Sequence, residues 1–374
     1  MKISVITLHT VNNYGSVLQT YATQQVLSEL GYDVEIVDYW RHDNCGEGAV
    51  DKALQSPQMQ KYKRIWGLNS FTESLIRIPL RYMLYRKRKP MREFIHRRVK
   101  LTPHPYYSME DLLLDVPDGD VYMTGSDQVW NSVWNHGIER PYFLDYAPPG
   151  KKRIAFSASI GRTEFFPEEV EETVSLLKKY HAISVREESA VTLLAQYGIP
   201  AQLILDPTLM LNREQWIAIA KRPVESKPYL LIYQLNENRD MDDYAVRLAK
   251  KKQWHIIRIG FSLPQKQPYG KCVVSPSVEK LLGYIENAQC VLTDSFHATA
   301  FSLNLGTDFI SILPPRFGTR IESILRLTDT NHRLLRDYRD LSVIDTKIDK
   351  KRVNEILDLE RKKGIIFLKQ AVES

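Results

Sequence analysis

The sequence has few cysteines and no long apolar run. Its three cysteines, Cys45, Cys272 and Cys290, are scattered and form no CxxC pair. This argues against a disulfide framework or a zinc site and favours a reducing compartment. No window approaches the roughly 20 apolar residues that a membrane-spanning helix needs. The first residues, MKISVITLHT, lack the apolar core of a signal peptide, so we expect a globular cytoplasmic protein.

Positive charge is concentrated in one segment. The chain of 374 residues has a net charge of +6, but residues 77–100 alone hold ten Lys or Arg and one Glu. The apolar residues interleaved with these cations are Tyr82, Met83, Leu84, Tyr85, Phe94 and Ile95. The mixture suits a solvated helix face, a surface that rests on anionic lipid, or a nucleic-acid surface. We expect no nucleic acid, and we retain a peripheral position on an anionic inner-membrane surface.

Short apolar strands alternate with helical patterns along two stretches of the chain. The predicted strands of the first stretch are 3–8, 34–37, 121–124, 154–157 and 182–185. Those of the second stretch are 229–233, 256–260, 290–293 and 309–313. The alternation predicts an α/β protein with two Rossmann-like, doubly wound parallel domains that face a cleft.

The boundaries follow from where this alternation stops and restarts. We expect an N-terminal domain over 1–205, a C-terminal domain over 206–345 and a helical tail over 346–374. A basic insertion around 41–115 interrupts the first domain, and its residues 41–75 show no clear periodicity. Ligands of such sheets bind outside the carboxyl ends of the strands, which places the candidate site residues in the loops there.

The loops after the first and third strands carry polar residues that suit a sugar. Asn12, Asn13 and Tyr14, in HTVNNYGSVLQ, lie at the mouth of a helix, where N–H groups bind an anion or a hydroxyl. The loop has no GxGxxG pattern, so dinucleotide binding is unsupported. In GSDQVWN, Asp127 can accept from hydroxyls or act as a base, and Trp130 can pack on a sugar ring. The alternatives are a helix-capping turn for the first loop and a helix cap beside a core tryptophan for the second.

Cations follow two further strands. Arg186 leaves the strand 182–185, and a buried arginine is costly unless it meets an anion. It is either an anion-binding residue or one partner of an ion pair with Glu187 or Glu188. Arg316 and Arg320, in PPRFGTR, are within reach of the same cleft or are surface cations.

The stretch DSFH joins the strand 290–293 to a helix. Ser295 is a natural N-cap for this helix, and Asp294 is placed to hold a neighbouring loop or to orient an imidazole. His297 then lies at the positive end of the helix dipole, where it can act as a general acid near neutral pH. A structural histidine is the alternative.

Taken together, these motifs resemble the polysaccharide pyruvyl transferase family. The segments that carry the resemblance are NNYGSVLQTYATQQVL at 12, GSDQVWN at 125, SASIG at 157, ISVREESA at 183, LDPTLML at 205, SPSVEKLLGYIENAQCVLTDSFHATAFSLNLG at 275 and RIESILRL at 320. The family's histidine falls on His297, and its arginines fall on Arg186 and Arg320. Some relatives have Arg and Leu where this chain has Ser295 and Phe296.

The resemblance implies a GT-B-like fold and a defined reaction. Phosphoenolpyruvate is the implied donor, and a saccharide, free or lipid-linked, is the implied acceptor. Two hydroxyls of one sugar become bridged by pyruvate as a cyclic ketal in surface polysaccharide biosynthesis. The implied catalytic residues are His297 and Asp127. The implied donor-binding residues are Arg186, Ser295, Arg316 and Arg320, and the implied acceptor-binding residues are Asn12, Asn13, Tyr14 and Trp130. No step requires a metal or a cofactor beyond the co-substrate phosphoenolpyruvate.

Two other functions fit the same fold. One is a GT-B glycosyltransferase or related nucleotide-sugar enzyme, which a nucleotide rather than phosphoenolpyruvate would stabilise. The other is a non-catalytic saccharide or membrane-surface scaffold, in which His297 and the arginines could be replaced without loss of function.

Overall fold

The strands form two separate parallel sheets in the computed structural model, which describes residues 1–56, 59–60, 70–260, 270–316 and 318–374. The first sheet contains β1 (Lys2–Ile6), β2 (Asp33–Ile36), β3 (Val121–Thr124), β4 (Lys152–Ala158), β5 (Ala182–Val185) and β6 (Gln202–Leu203), in the order β2-β1-β3-β4-β5-β6. The second contains β7 (Tyr229–Tyr233), β8 (His255–Gly260), β9 (Lys271–Val274), β10 (Cys290–Thr293) and β11 (Phe309–Ser311), in the order β11-β10-β7-β8-β9. Every pairing of these strands is parallel. The predicted doubly wound α/β architecture is confirmed.

The helices follow the strands and cover the sheets. In the first half they are α1 (Tyr14–Glu29), α2 (Gly46–Leu54), α3 (Ser70–Arg98), α4 (Met109–Leu114), α5 (Ser132–Asn135), α6 (Val170–Leu177) and α7 (Glu188–Ala195). In the second half they are α8 (Pro207–Met210), α9 (Arg213–Ile217), α10 (Arg239–Lys252), α11 (Val278–Glu286), α12 (Phe296–Leu305), α13 (Thr319–Leu327) and α14 (Lys350–Glu373). None of the described helices is both long enough and apolar enough to cross a membrane.

Two elements differ from the sequence-based expectation. Strand β9 was not predicted, because its KCVV pattern is short and its side chains are exposed or half-buried at the edge of the sheet. Helix α2 lies in the stretch 41–75, which shows no clear period, and buries Val50 and Leu54 against Leu80 of α3. Residues 57–58 and 61–69 of that stretch lie outside the described part of the chain.

Helix α1 begins and ends as its sequence indicates. Asn13 caps it by accepting from the backbone N–H of Gly15 at 2.8 Å. The chain leaves the helix at Gly31, whose φ of +89° lies in the left-handed region that glycine adopts most easily. Because α1 follows β1 directly, its N-terminus opens at the carboxyl edge of the first sheet.

The two halves share one core and are joined by the last helix. A single apolar cluster includes Val5 of β1, Phe94 of α3, Phe301 of α12 and Leu357 of α14. Helix α14 returns to the first sheet, where Lys152 of β4 donates to the carbonyl of Val372 at 3.0 Å. The apolar core is therefore continuous from the first sheet to the helices of the second half.

Candidate functional site

The N-termini of α1 and α12 meet between the two sheets. Gly15 in the first turn of α1 lies so close to His297 in the first turn of α12 that a β-carbon on Gly15 would be 2.0 Å from Nδ1 of His297. A glycine is therefore needed at residue 15 for the imidazole to occupy its position. Local sequence patterns could not show this requirement, because the two residues are far apart in the chain and follow strands of different sheets.

The DSFH stretch positions His297 through two local contacts. Ser295 is the N-cap of α12 and accepts from the backbone N–H of Ala298, as predicted. Asp294 accepts from the backbone N–H groups of Leu235 and Asn236 at 2.7 and 2.9 Å, so it holds the loop after β7. The imidazole is thereby fixed at the carboxyl edge of the second sheet.

Arg186 is the centre of a buried charge network. Its Nη1 donates to Asp206 at 2.6 Å, and its Nη2 donates to Asp127 at 2.9 Å. The side chains of Arg186 and Asp206 are completely buried, and that of Asp127 is nearly so. The prediction that Arg186 offers a free guanidinium to a donor is corrected, because both terminal nitrogens already bind carboxylates. Of the neighbouring glutamates that the ion-pair alternative named, Glu187 forms a longer ion pair, with its Oε2 3.9 Å from Nε of Arg186.

Asp127 has a strained backbone and several hydrogen-bond donors. Its φ is 75°, and its carboxylate accepts from Arg186, from the hydroxyl of Ser16 and from the backbone N–H of Gln128. Burial alone would raise the pKa of Asp127, but the charges of Arg186 and His297 and the hydrogen bond from Ser16 bring it well below its ordinary value. The carboxylate is therefore a weak proton acceptor, which argues against the predicted role of Asp127 as a base.

Two further buried carboxylates belong to the network, and the sequence analysis assigned no role to the first of them, Asp206. Asp206 accepts from the backbone and hydroxyl of Thr208 at 2.9 and 2.6 Å, which caps α8. Glu187 accepts from the hydroxyl of Ser159 and from the backbone N–H groups at 160 and 161. The Asp-Pro pair at 206–207, typical of a helix start, was the only local signal for the first of these residues.

His297 is a buried imidazole that has an unused nitrogen. Its Nε2 is buried, has no hydrogen-bond partner within the described residues and lies 3.9 Å from Oδ2 of Asp206. Burial lowers the pKa of His297 to about 4, despite the opposing charges of Asp206 and Asp127. The unliganded protein thus holds a neutral imidazole at pH 7, and an added anion nearby would favour its protonation.

Phe296 separates two guanidinium groups. The Cζ of Arg186 lies 4.9 Å from the ring centroid of Phe296, and the Cζ of Arg320 lies 5.8 Å from it. Burial and the charge of Arg186 lower the pKa of Arg320 to about 10, so it stays charged at pH 7. Arg320 has no ion pair in the described chain, and its Nε is buried without a partner. Arg320 is therefore open to a ligand, whereas both terminal nitrogens of Arg186 already bind carboxylates.

The remaining predicted residues fall into different environments. Asn12 is half-buried, and its Oδ1 is buried without a partner in the described chain, which leaves it open to a ligand hydroxyl. Asn13 is occupied as the cap of α1. Arg316 is exposed and makes no hydrogen bond or ion pair with the described residues, so the structure does not bring it into the network.

Two predicted acceptor-binding residues belong to the core instead. Trp130 is only 4% exposed, donates from Nε1 to the carbonyl of Tyr142 and stacks on Phe143. Tyr14 is 1% exposed and donates its hydroxyl proton to the carbonyl of Pro276 in the other domain. Both assignments are corrected, because neither ring has a face open to a sugar.

The network contains carboxylates but no metal-binding cluster. Within the described ranges, no group of three or more His, Cys, Asp or Glu side chains is placed to hold a metal ion. The arrangement offers a neutral imidazole, a free guanidinium and a helix N-terminus at one place. These groups can bind an anion and move a proton.

Comparison with solved structures gives the fold. A UDP-GlcNAc 2-epimerase from Methanocaldococcus jannaschii superposes with a TM-score of 0.50 at 14% identity, covering 94% of this chain and 94% of that chain. A UDP-N-acetylglucosamine 2-epimerase from Rickettsia bellii superposes with a TM-score of 0.50 at 12% identity, covering 100% of this chain and 96% of that chain. At such low identity the likeness shows a shared GT-B fold alone.

Comparison at the sequence level gives the family. No curated protein sequence matches the chain. The family model described as "Polysaccharide pyruvyl transferase" matches residues 13–314, a span that includes α1, the Arg186 network and His297. The chain therefore belongs to the polysaccharide pyruvyl transferase family.

Proposed function

We propose that this protein transfers the pyruvyl group of phosphoenolpyruvate to two hydroxyls of one sugar, forming a cyclic ketal. The observation that carries the proposal is the unpartnered Nε2 of His297, held between two domains and beside Arg320. The donor has a phosphate, a carboxylate and a methylene carbon that must gain a proton. An anion-binding site that contains a buried imidazole can bind the two anionic groups and can supply the proton.

The donor's negative charge would meet Arg320 and the N-terminus of α12. The first backbone N–H groups of a helix lack partners within the helix, and its dipole favours an anion there. Arg320 can add a charge-assisted hydrogen bond from its unpartnered Nε. Arg186 contributes indirectly, because its carboxylate partners set the charge around the imidazole.

His297 would act as the general acid once the donor is bound. The donor's charge raises the pKa of His297 from its low unliganded value, and Asp206 stabilises the imidazolium. The proton then moves to the methylene carbon, which becomes the methyl group, and the adjacent carbon becomes electrophilic. The first sugar hydroxyl adds to that carbon, phosphate leaves, and the second hydroxyl closes the ketal. Of the two hydroxyl protons, one restores His297 and the other leaves with phosphate.

The acceptor would approach from the first domain. Asn12, which precedes α1 and has a buried carbonyl oxygen without a partner in the described chain, is the residue best placed to accept from a sugar hydroxyl. Since α1 begins next to His297, a sugar bound at this loop would lie beside the donor.

Thermal stabilisation by ligands tests this proposal. Phosphoenolpyruvate should raise the melting temperature of the wild type and should do so much less for Arg320→Gln. Arg316→Gln is the matched control, since it removes an exposed arginine from the loop that precedes α13. A shift from a UDP-sugar, with none from phosphoenolpyruvate, would instead favour a nucleotide-sugar enzyme, and no shift from either ligand would count against the donor site.

A membrane-facing position is part of the proposal, and α3 supports it. Leu75, Ile78, Tyr82 and Tyr85 recur at spacings of three and four residues and are 51–74% exposed. Cations flank this stripe, whereas Phe94 and Ile95 further along the same helix are buried in the core. An exposed apolar stripe bordered by Lys and Arg fits the interface of an anionic bilayer, where a lipid-linked acceptor would be found.

Co-sedimentation with vesicles tests the membrane position. Vesicles that contain phosphatidylglycerol should bind the protein at low salt and lose much of it at high salt. Ile78→Ser/Tyr85→Ser should bind less, whereas Leu113→Ser/Leu114→Ser, which removes exposed leucines from α4, should bind as the wild type does. Equal binding to neutral vesicles would refute the electrostatic contribution.

A further inference from the structure

A cleft of about 280 Å³ lies between α2 and α3, in the basic insertion. One wall is a face of α3 that carries Arg81, Arg88 and Arg92, seven and four residues apart. The opposite side includes the first residues of α2 and the indole of Trp40. Among the described residues that line the cleft there is no carboxylate.

Two of these arginines have no acidic partner within the described part of the chain. Arg81 forms an ion pair with Glu47. Arg88 donates from Nη1 to the backbone carbonyl of Asn44, and its Nε is buried without a partner. Arg92 lies over the ring of Trp40, with its Cζ 5.4 Å from the ring centroid. Burial and the repulsion from Arg92 lower the pKa of Arg88, so an anion placed between them would relieve an existing cost.

The neighbouring acid that could neutralise Arg88 is already engaged. Asp43 accepts from Arg41 at 2.7 Å and from Lys52 at 2.5 Å. Elsewhere in the insertion, Arg77 is paired with both Glu47 and Asp51. Acids are thus available around the cleft, yet none of the described lining residues is acidic, which distinguishes the cleft from a solvated helix face.

The N-terminus of α2 adds a further feature that favours an anion. This nine-residue helix starts at Gly46 on the wall of the cleft, and its N-cap, Cys45, makes no side-chain capping bond. The first N–H groups of such a helix are free to bind a negatively charged ligand. They act in the same direction as Arg88 and Arg92.

The cleft shares lining residues with a cavity that reaches the Asn12 loop, where we propose that the acceptor binds. A small cavity next to it shares Trp40, Arg88 and Arg92 with the cleft and is also lined by Thr10 and Val11. Thr10 and Val11 immediately precede Asn12 and helix α1. The second residue of α1, Gly15, contacts His297. A ligand bound at the arginines therefore lies on the side from which the sugar would reach His297.

We propose that this cleft binds a phosphate or diphosphate group attached to the acceptor. Arg88 and Arg92 bind the phosphate oxygens, and Trp40 and Tyr85 contact the adjoining sugar or hydrocarbon. Assigning this group to the acceptor rests on the proposed function, whereas binding of the anion does not. The same chemistry occurs in a carrier diphosphate and in the headgroup of a bilayer phospholipid, and the experiment separates these two sources.

Calorimetric titration with inorganic diphosphate tests the site itself. The full-length wild type should bind, and Arg88→Gln/Arg92→Gln should lose roughly tenfold or more in affinity, because each charged hydrogen bond contributes. The matched control is Arg86→Gln/Lys89→Gln, which removes the same charge from residues of α3 that do not line the cleft and should bind within about twofold of the wild type. If loss of the Arg88–Asn44 bond destabilises the double variant, Arg92→Gln alone tests the site.

Two results would overturn the proposal: no diphosphate binding by the wild type, or equal losses in the cleft variant and the control. Geranyl diphosphate and phosphatidylglycerol vesicles then identify the source. A loss for the cleft variant toward geranyl diphosphate indicates a carrier diphosphate, and a loss confined to vesicles indicates a bilayer headgroup. Stabilisation by phosphoenolpyruvate should be unchanged in the cleft variant, so a failure of the proposed function is recognised separately from a failure of the cleft.

Discussion

The site between the domains and the basic insertion use charge in opposite ways. Around Arg186, cations and carboxylates are buried together and paired at 2.6 and 2.9 Å. Along α3, cations outnumber acids, and two arginines of the cleft have no acidic partner in the described chain. Paired, buried charge fixes the geometry of a few reacting groups, whereas excess, accessible charge is available to a ligand. The comparison predicts large stability effects in the first region and small ones in the second.

Removing one carboxylate from the buried network should have the largest effect. Asp206→Ala leaves Asp127 as the carboxylate partner of the buried Arg186 Nη groups, and we expect a loss of about 3–5 kcal/mol in the free energy of unfolding. Asp345→Ala is the control, because Asp345 is a surface carboxylate that pairs with Lys251 and Lys252, and its removal should change the free energy of unfolding far less. Denaturant titrations measure both, and equal losses would contradict the distinction between the two kinds of pair.

The pH dependence of stability should report the buried histidine. The pKa of His297 is about 4 in the folded protein and 6.5 in its ordinary state, so the folded state favours the neutral form. Its contribution is fully present above pH 6.5 and is lost as the pH falls from 6.5 to 4, by up to about 3 kcal/mol. The His297→Gln variant should not show this loss of stability between pH 6.5 and 4. Parallel stability curves for the two proteins between pH 7 and 4 would contradict the low pKa.

One methyl group at residue 15 should disturb the close contact between α1 and α12. Gly15→Ala places a carbon where Nδ1 of His297 lies, and we expect a loss of about 1–3 kcal/mol from overpacking. In a His297→Ala background the same change should cost little, since the ring is gone. Thermal or denaturant unfolding of the four proteins gives the coupling energy, and an additive result would show that the two residues do not share this space.

The exposed cations of the insertion should contribute least to stability. Arg86→Gln/Lys89→Gln removes two charges from the exposed side of α3, with an expected change within about 0.5 kcal/mol in the free energy of unfolding. The same denaturant titration measures it. A loss as large as that of Asp206→Ala would mean that this charge is structural rather than available to a ligand.

Local sequence patterns located the elements of this fold but not its long-range pairings. Runs such as VYMT and CVLT predicted β3 and β10 with their observed bounds, because buried parallel strands are almost continuously apolar. The same patterns placed Asp127, Arg186 and His297 at strand ends. They could not show that Arg186 binds Asp206, or that Gly15 contacts His297, because such contacts depend on how loops and domains meet.

The errors of the sequence analysis have the same origin. Trp130 has the residue type that stacks on sugars, but burial against Phe143 decides its role. Arg186 has the residue type that binds anions, but both of its terminal nitrogens already bind buried carboxylates. Arg320, among several cations near the last helix, is distinguished only by its position beside Phe296 and its unpartnered Nε.

The most direct test of the central claim is an NMR pH titration of the His297 ring, without and with phosphoenolpyruvate. Loss of one imidazole signal in His297→Gln assigns the resonance. The account predicts a neutral ring at pH 7 in the free protein, with a pKa near 4, and a clear upward shift of that pKa when the donor binds. A resonance that titrates identically with and without a saturating concentration of the donor would contradict the role of His297 as the acid of this site.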